Sequence, residues 1–458
     1  MAGAGGYVGR RLVAHLAGLG HRVVAIGRRA DQLPAAAVAR AVDVADTPAL
    51  AEALAGCDAA YYLVHSMAGG EGFSGRDRAL AESFSQAAAA AGVGRIVYLG
   101  GLGRGTLSEH LRSRQEVGRA LGSAGVGVVE LRAAVVIGAG SISFELLRYL
   151  TERLPVMVCP RWITTRVQPV AERDLLAYLA AAPEVGPGVY EIGCPEATTY
   201  RDMIATYAQV RGLRPRVIVD VPVLTPRLSA RWVDLVTPVD RHVSHSLIDS
   251  LATEVVVTAP GPTAAAFGVA PLPVAEAISA ALDEQAARIG HGLLSFRAGL
   301  SNGVYAMRSN VSLPAGDVDG AKDDLTRCGG DLRWYGTPWA WRLRLALGGL
   351  FGERLHLQRP PRVEPGAAVD WWVVEEKTGS SLVLGTRRWF CGEAWLGYQV
   401  CGPPQARIEQ VAALRPKGLL GLAYWRAVWP VHLLVFRVMG RRQARRAALL
   451  ARHEPRTG

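Results

Sequence analysis

The sequence predicts an α/β chain of two domains: a doubly wound parallel sheet within residues 1–290, then an α+β helix-grip arrangement over residues 291–458. Three observations predict it. A glycine-rich turn at the start, Met1-Ala2-Gly3-Ala4-Gly5-Gly6-Tyr7-Val8-Gly9, runs into a helical segment with Leu12, Val13 and Leu16. Short apolar runs then alternate with helical stretches to about residue 140, the spacing of βαβ units. Beyond residue 290 nine of the eleven tryptophans appear, and apolar and polar residues alternate as in antiparallel sheet.

The first element is the loop. Glycines three apart, Gly3, Gly6 and Gly9, let the backbone turn sharply, approach a pyrophosphate and pack a helix onto a sheet, while the helix N-terminus offers N–H donors. A dinucleotide site is therefore expected at Gly3, Gly5, Gly6, Tyr7, Val8 and Gly9, with Val8 where the commoner dehydrogenase pattern has its third glycine. Only Met1 and Ala2 precede the loop. This predicts a truncated first strand, an unfilled central position in the sheet, poor dinucleotide binding, and a natural protein that begins upstream with a Val/Ile/Leu-rich strand.

The other strands follow in order. Arg22–Gly27, Arg40–Val44, Ala59–His65, Arg95–Gly100 and Val126–Leu131 are short runs rich in Val, Ile or aromatics, as strands buried on both faces should be. Helices are expected at Thr47–Ala55, with Thr47-Pro48 as cap and first turn, and at Asp77–Ala91. Residues 1–140 make the nucleotide half and 141–290 the substrate side. The latter should hold a helix over Val170–Ala180, a strand over Gly188–Gly193, a helix over Pro195–Tyr207, a connector Thr258–Pro273 and a helix Val274–Arg288.

In the last domain, strands are expected at Tyr305–Leu313, Asp370–Glu375, Ser381–Phe390, Glu393–Val400 and Ala406–Leu414. A short helix at Val318–Arg327 and a long one from Lys417 to Arg446 complete it. Trp371 and Trp372, adjacent on one strand, should point to opposite faces, so that only one faces a cavity for an apolar ligand.

Composition narrows the function. A chain of 458 residues, 50% hydrophobic and 20% charged, is globular rather than disordered. Its six cysteines show neither a C-x-x-C nor a Cys/His cluster, so no metal site or disulfide framework is signalled, and no secretory segment opens the chain. A cytoplasmic protein is expected. The net charge of +11 concentrates at the end, in Arg437, Arg441, Arg442, Arg445, Arg446, Arg452 and Arg456, without a recognisable nucleic-acid module. The run Gly418–Met439 is nearly of bilayer length, but Arg426, His432, Arg437 and Pro430 interrupt it. An amphipathic helix covering the sheet is expected, the alternative being peripheral contact with the inner face of a membrane through residues 418–446.

Read together, Gly3–Gly9, Asp43-Val44, Tyr61–Met67, Tyr98–Leu102 and Ser113–Val117 resemble the atypical short-chain dehydrogenase/reductase superfamily. Gln168–Asp174, Tyr190–Gly193 and Arg415–Tyr424 extend the resemblance to bacterial NmrA-like NAD(P)-binding proteins with a C-terminal domain of unknown function. It implies a Rossmann-type N-terminal fold, and the C-terminal part reads as START/SRPBCC-like. An NAD(P)-dependent oxidoreductase or isomerase acting on an apolar or aromatic small molecule is expected. The alternative is a dinucleotide-binding redox sensor or accessory protein without turnover, resembling the NAD(P)-binding accessory subunit of respiratory complex I.

Cofactor choice rests on Arg28 and Arg29, directly after the second strand, where a carboxylate would suit the 2′-hydroxyl of NAD(H) and guanidinium groups suit a 2′-phosphate. NADP(H) is favoured, with NAD(H) the alternative, and a solvated arginine pair is the bland reading. Asp43 resembles the family aspartate beside the adenine, or is a turn residue; Val44 and Leu63 join the expected cofactor contacts. His65 ends the fourth strand, on the edge where open α/β sheets bind ligands.

Reductases of this superfamily use a serine and a Tyr-x-x-x-Lys pair. Here Gly100 and Gly101 stand near the serine's position, His110 in place of the tyrosine and Arg114 in place of the lysine. Histidine transfers protons near neutral pH, whereas Arg114 serves only as a fixed cation. His110 and Arg114 are the candidate catalytic pair, and the usual carbonyl-reduction machinery is absent.

Overall fold

The computed structural model describes residues 1–64, 73–105, 107–221, 251–290, 304–331, 334–350, 357–389 and 391–453. They form two compact units, 1–283 and 284–458.

In the first unit, helix α1 (Tyr7–Gly18) buries Gly9, Leu12, Val13 and Leu16, the stripe expected of an amphipathic helix. Strands β1 (Val24–Gly27) and β2 (Val38–Ala41) pair in parallel, as do β3 (Ala59–Tyr62), β4 (Arg95–Gly101), β5 (Val128–Ala133) and the strand Gly188–Ile192. Met1 and Ala2 occupy part of the expected gap between β1 and β3, so the first strand is short, as expected, but its place is not empty. Ala2 bridges both neighbours in parallel: its N–H donates to Tyr61 O (2.9 Å), its carbonyl accepts from Leu63 N–H (3.0 Å), and Met1 O accepts from Ile26 N–H (2.9 Å). Two residues thus satisfy the backbone groups whose desolvation would otherwise be costly.

The spatial order is β2, β1, Met1-Ala2, β3, β4, β5, Gly188–Ile192. It reverses direction at the Met1-Ala2 position, the switch point where open α/β sheets bind ligands. Both faces are covered. Ile96 and Tyr98 pack with Leu50, Phe84 and Leu121, while Val97 and Leu131 pack with Leu12, Leu16 and Leu175. Helix α2 (Thr47–Leu54) is capped one residue earlier than expected, by Asp46, whose side chain accepts from Ala49 N–H (3.2 Å). Helix α3 (Phe73–Ala90) and helix α4 (Glu109–Leu121) follow, the latter capped by Ser108.

The substrate side holds α5 (Ile142–Arg153), α6 (Glu172–Ala181) and α7 (Tyr200–Val210). A parallel pair, Val156–Cys159 with Val217–Asp220, was not expected from the sequence. The stretch read as a connector contains a helix, Pro260–Phe267, ended by Gly268 in the left-handed region (φ +61°).

The second unit is a six-stranded antiparallel sheet ordered Tyr305–Ser312, Arg407–Pro416, Gly392–Cys401, Ser381–Trp389, Trp372–Lys377, Ala368–Val369. First strand beside last, two helices after the first strand and one long helix at the end give the helix-grip order. The terminal helix, Gly418–His453, buries Leu422, Trp425, Val435, Phe436, Met439 and Ala447. Its apolar residues are not all covered: Leu419, Leu420, Leu433, Leu434 and Leu449 are exposed along it. Among the described residues it is the one helix long and apolar enough to cross a membrane by length and composition.

The helix Pro338–Leu350 was not expected, and one expectation for this unit is corrected. Trp371 and Trp372 do not share a strand: Asp370 turns the chain at φ +52°, the strand begins at Trp372, and both rings are buried. Asp370 is held there by accepting from Tyr335 Oη (2.7 Å), Gly330 N–H (3.0 Å) and Gln358 N–H (3.0 Å).

Candidate functional site

The glycine loop sits at the switch point of the parallel sheet. Gly3 adopts φ +82°, and a β-carbon there would stand 2.6 Å from the Leu63 carbonyl group. A β-carbon on Gly9 would stand 2.8 Å from Ala4 Cα. These two positions need glycine for different reasons, the first for its turn and its approach to β3, the second for packing α1 onto the loop. Gly5 and Gly6 form the exposed crest, and Gly6 caps α1 without a side chain. Gly6 N–H is taken by Gly3 O (3.0 Å), and the first turn of α1 presents backbone N–H groups and a helix dipole, the donor set an anionic pyrophosphate takes.

Arg10 ties this loop to the segment after β1. Its Nε donates to Gly5 O (2.8 Å) and an Nη to Gln32 O (2.6 Å). Arg28 and Arg29 lie between β1 and that turn, both exposed, and Arg29 faces Asp31 at 3.5 Å. Asp43 is exposed just beyond β2, and its carboxylate accepts from Ala45 N–H (3.0 Å), a turn-forming bond. Val44 is buried in the core with Leu50 and Leu54. Leu63 is half-buried, its main chain against Gly3. His65 lies outside the described residues.

The structure brings together the loop, Leu63 and, through Arg10, the arginine segment. His110 and Arg114 stand apart on α4, next to the end of β4. His110 is half-buried in the first turn. Arg114 is bound to β4: its guanidinium donates to Leu99 O and lies 5.5 Å over the Tyr98 ring, while Tyr98 Oη donates to Arg114 O (2.9 Å). Gly101 lies where a β-carbon would press on Leu111 (3.0 Å) and Arg114 (3.4 Å). The tyrosines of β3 and β4 belong to the core. Tyr61 Oη donates to Leu179 O (3.0 Å), and burial pushes the Tyr98 phenol up to about 12, partly offset by Arg114. No replacement for the missing phenol comes from these strands.

Sequence reading missed one cluster beside the loop. Tyr7 Oη donates to Glu172, which pairs with Arg11; Arg11 also donates to Ala139 O and lies 4.0 Å over the Tyr7 ring. Gly138 leaves room for it, since a β-carbon there would stand 2.5 Å from Tyr7 Oη. The partners are 165 positions apart. No local signal joins them.

Residues 3–123 match the family model described as NAD(P)H-binding. The first unit carries an NAD(P)H-binding domain. Residues 302–439 match a family described as a protein of unknown function, DUF2867, which follows the NAD(P)H-binding domain. Among solved structures the chain is similar to the NADPH-dependent quinone oxidoreductase of Escherichia coli, with 20% identity, 61% of this chain and 97% of that one covered, and a TM-score of 0.50. Other similar structures are the triphenylmethane reductase of Citrobacter sp. (18% identity, 61% and 98% covered, TM-score 0.49) and the UDP-glucose 4-epimerase of Thermotoga maritima (14%, 63% and 98%, 0.49). The first of these likenesses is one of fold. No curated protein matches the chain.

Proposed function

We propose that the NAD(P)H-binding domain takes NADP(H) in preference to NAD(H) and serves an oxidoreductase or isomerase acting on an apolar or aromatic small molecule. One observation carries the cofactor reading: the exposed crest of Gly5 and Gly6 is tied by Arg10 to the segment holding exposed Arg28 and Arg29. Backbone N–H groups would hold the pyrophosphate and the two guanidinium groups a 2′-phosphate. A nicotinamide, when bound, supplies or accepts hydride. His110 would hold or deliver the accompanying proton at an imidazole nitrogen, and Arg114, bound to Leu99 O, would fix the end of β4 rather than act on substrate.

That use of Arg114 also favours a second reading, a dinucleotide-dependent sensor without turnover, because a cation committed to a carbonyl is not positioned to assist a proton donor. Calorimetric titration with NADPH and NADH, followed by a panel of quinones and aromatic carbonyl compounds, separates the readings. Tight NADPH binding with turnover is expected. Binding without turnover favours the sensor, and no binding of either nucleotide overturns both.

A further inference from the structure

One side of the second unit leaves a row of apolar side chains in water. Along the first half of the terminal helix Leu419, Leu420, Trp429, Val431, Leu433 and Leu434 are exposed, Leu420 by 58% and Leu434 by 60%. On the helix Pro338–Leu350, Trp339 and Leu343 are each 55% exposed. Trp339, Leu343 and Val431 line one apolar recess, so the exposed residues of the two helices adjoin. Single apolar side chains are ordinary on a protein surface, whereas a contiguous group marks a face that a partner covers.

Charge indicates the occupant. Neither helix contains an aspartate or a glutamate. Arg342 is exposed beside Leu343, and Arg437, Arg441, Arg442 and Arg445 are exposed in the turns after Leu434. Leu420, Val431, Leu434, Arg441 and Arg445 recur at spacings near whole helical turns, which places them on one side, apolar first and cationic after. A second copy of the chain would set this face against itself and bring arginines to a contact where neither helix offers a carboxylate. The folded helix cannot span a bilayer either, because Trp425, Val435, Phe436 and Met439 on its other side belong to the core of the unit. An apolar, carboxylate-free, arginine-flanked face is instead complementary to the surface of an anionic membrane.

We propose that this face docks on an anionic lipid bilayer. Leu420, Val431 and Leu434, with Trp339 and Leu343, enter the boundary between headgroups and acyl chains, and Arg437, Arg441, Arg442 and Arg445 meet lipid phosphates. The assignment is independent of the dinucleotide site.

Flotation of the full chain with lipid vesicles tests it. Vesicles of equimolar phosphatidylcholine and phosphatidylglycerol should capture the protein about tenfold or more tightly than phosphatidylcholine alone, and less as salt rises. The double variant Leu420→Asp, Leu434→Asp should weaken capture about tenfold or more, since carboxylates there meet both acyl chains and anionic lipid. Arg441→Gln with Arg445→Gln should weaken capture by the mixed vesicles about tenfold. Leu19→Asp, at a leucine of the first unit that is 58% exposed, should change nothing. Circular dichroism melts establish that the variants fold, and Leu343→Ser reads the same contact should the leucine double variant unfold. Equal capture by the two kinds of vesicle, capture by neither, or capture unaltered in the leucine variants would each overturn the proposal. So would a dimer in sedimentation that Leu434→Asp dissociates while vesicles capture nothing, which would assign the face to a second copy.

Discussion

Gly3 lies directly against the main chain of Leu63, so that a β-carbon on Gly3 would stand 2.6 Å from the Leu63 carbonyl carbon while the residue itself holds φ +82°. Neighbouring Gly5 has its nearest such contact at 3.5 Å, the Gln32 carbonyl oxygen. The two glycines should therefore respond differently. Gly3→Ala should cost about 2 kcal/mol or more of stability through backbone strain and overlap. Gly5→Ala should melt close to the parent but bind NADPH about tenfold or more weakly, because its methyl group stands on the crest that a pyrophosphate approaches. Thermal melts and nucleotide titration of both variants check this. Equal melting of the parent and Gly3→Ala would refute the packing argument.

Exposed Arg28 follows β1 immediately, so Arg28→Asp would replace a phosphate partner by a like charge. NADPH affinity should fall at least tenfold more than NADH affinity. Parallel calorimetric titrations measure the difference, and an equal loss for both nucleotides would remove the arginines from cofactor selection.

His110→Ala should reduce turnover about 100-fold or more and leave cofactor affinity nearly unchanged, as expected for loss of a proton donor. Arg114→Ala should instead lower the melting temperature, since it deletes the guanidinium that joins α4 to Leu99 O and covers Tyr98. Steady-state kinetics and melts on the two variants distinguish the roles. A large turnover loss in Arg114→Ala with unaltered melting would reverse the assignment.

Acid should loosen the second unit. Burial lowers the His432 pKa from the ordinary 6.5 to about 4, so between those values the unfolded chain binds more protons than the folded one. Stability then rises with pH through this window, is full above about 6.5, and is progressively lost as pH falls toward 4. His432→Asn should flatten that part of the melting profile. A slope identical to the parent's across pH 4 to 6.5 would assign the effect to other groups.

Local chemistry alone determined the elements whose signals are contiguous. The three-residue glycine spacing announced the loop and α1, and continuous Val/Ile runs such as Arg95–Gly100 announced buried parallel strands, because both faces of such strands meet helices. The helix Pro338–Leu350 was illegible for the same reason: Trp339, Trp341, Leu343 and Leu345 alternate with smaller or charged residues, a period of two. Pro338 at its first turn and a run of Leu, Ala and Arg nonetheless favour a helix, which packs Ala340, Trp341 and Leu345 against the core of the second unit.

Tertiary structure decided what sequence spacing does not encode. Ala2 becomes a central strand because β1 and β3 offer it backbone partners on both sides, although a single residue has no strand propensity to read. Tyr7 meets Glu172 because α1 and α6 cover the same face of the sheet, and Arg114 is directed onto Leu99 O by the packing of α4 on β4. Hydrophobic periodicity reports which face of an element is buried. Which groups then meet across those faces depends on the register and approach of elements far apart in the chain, and only the folded packing sets these.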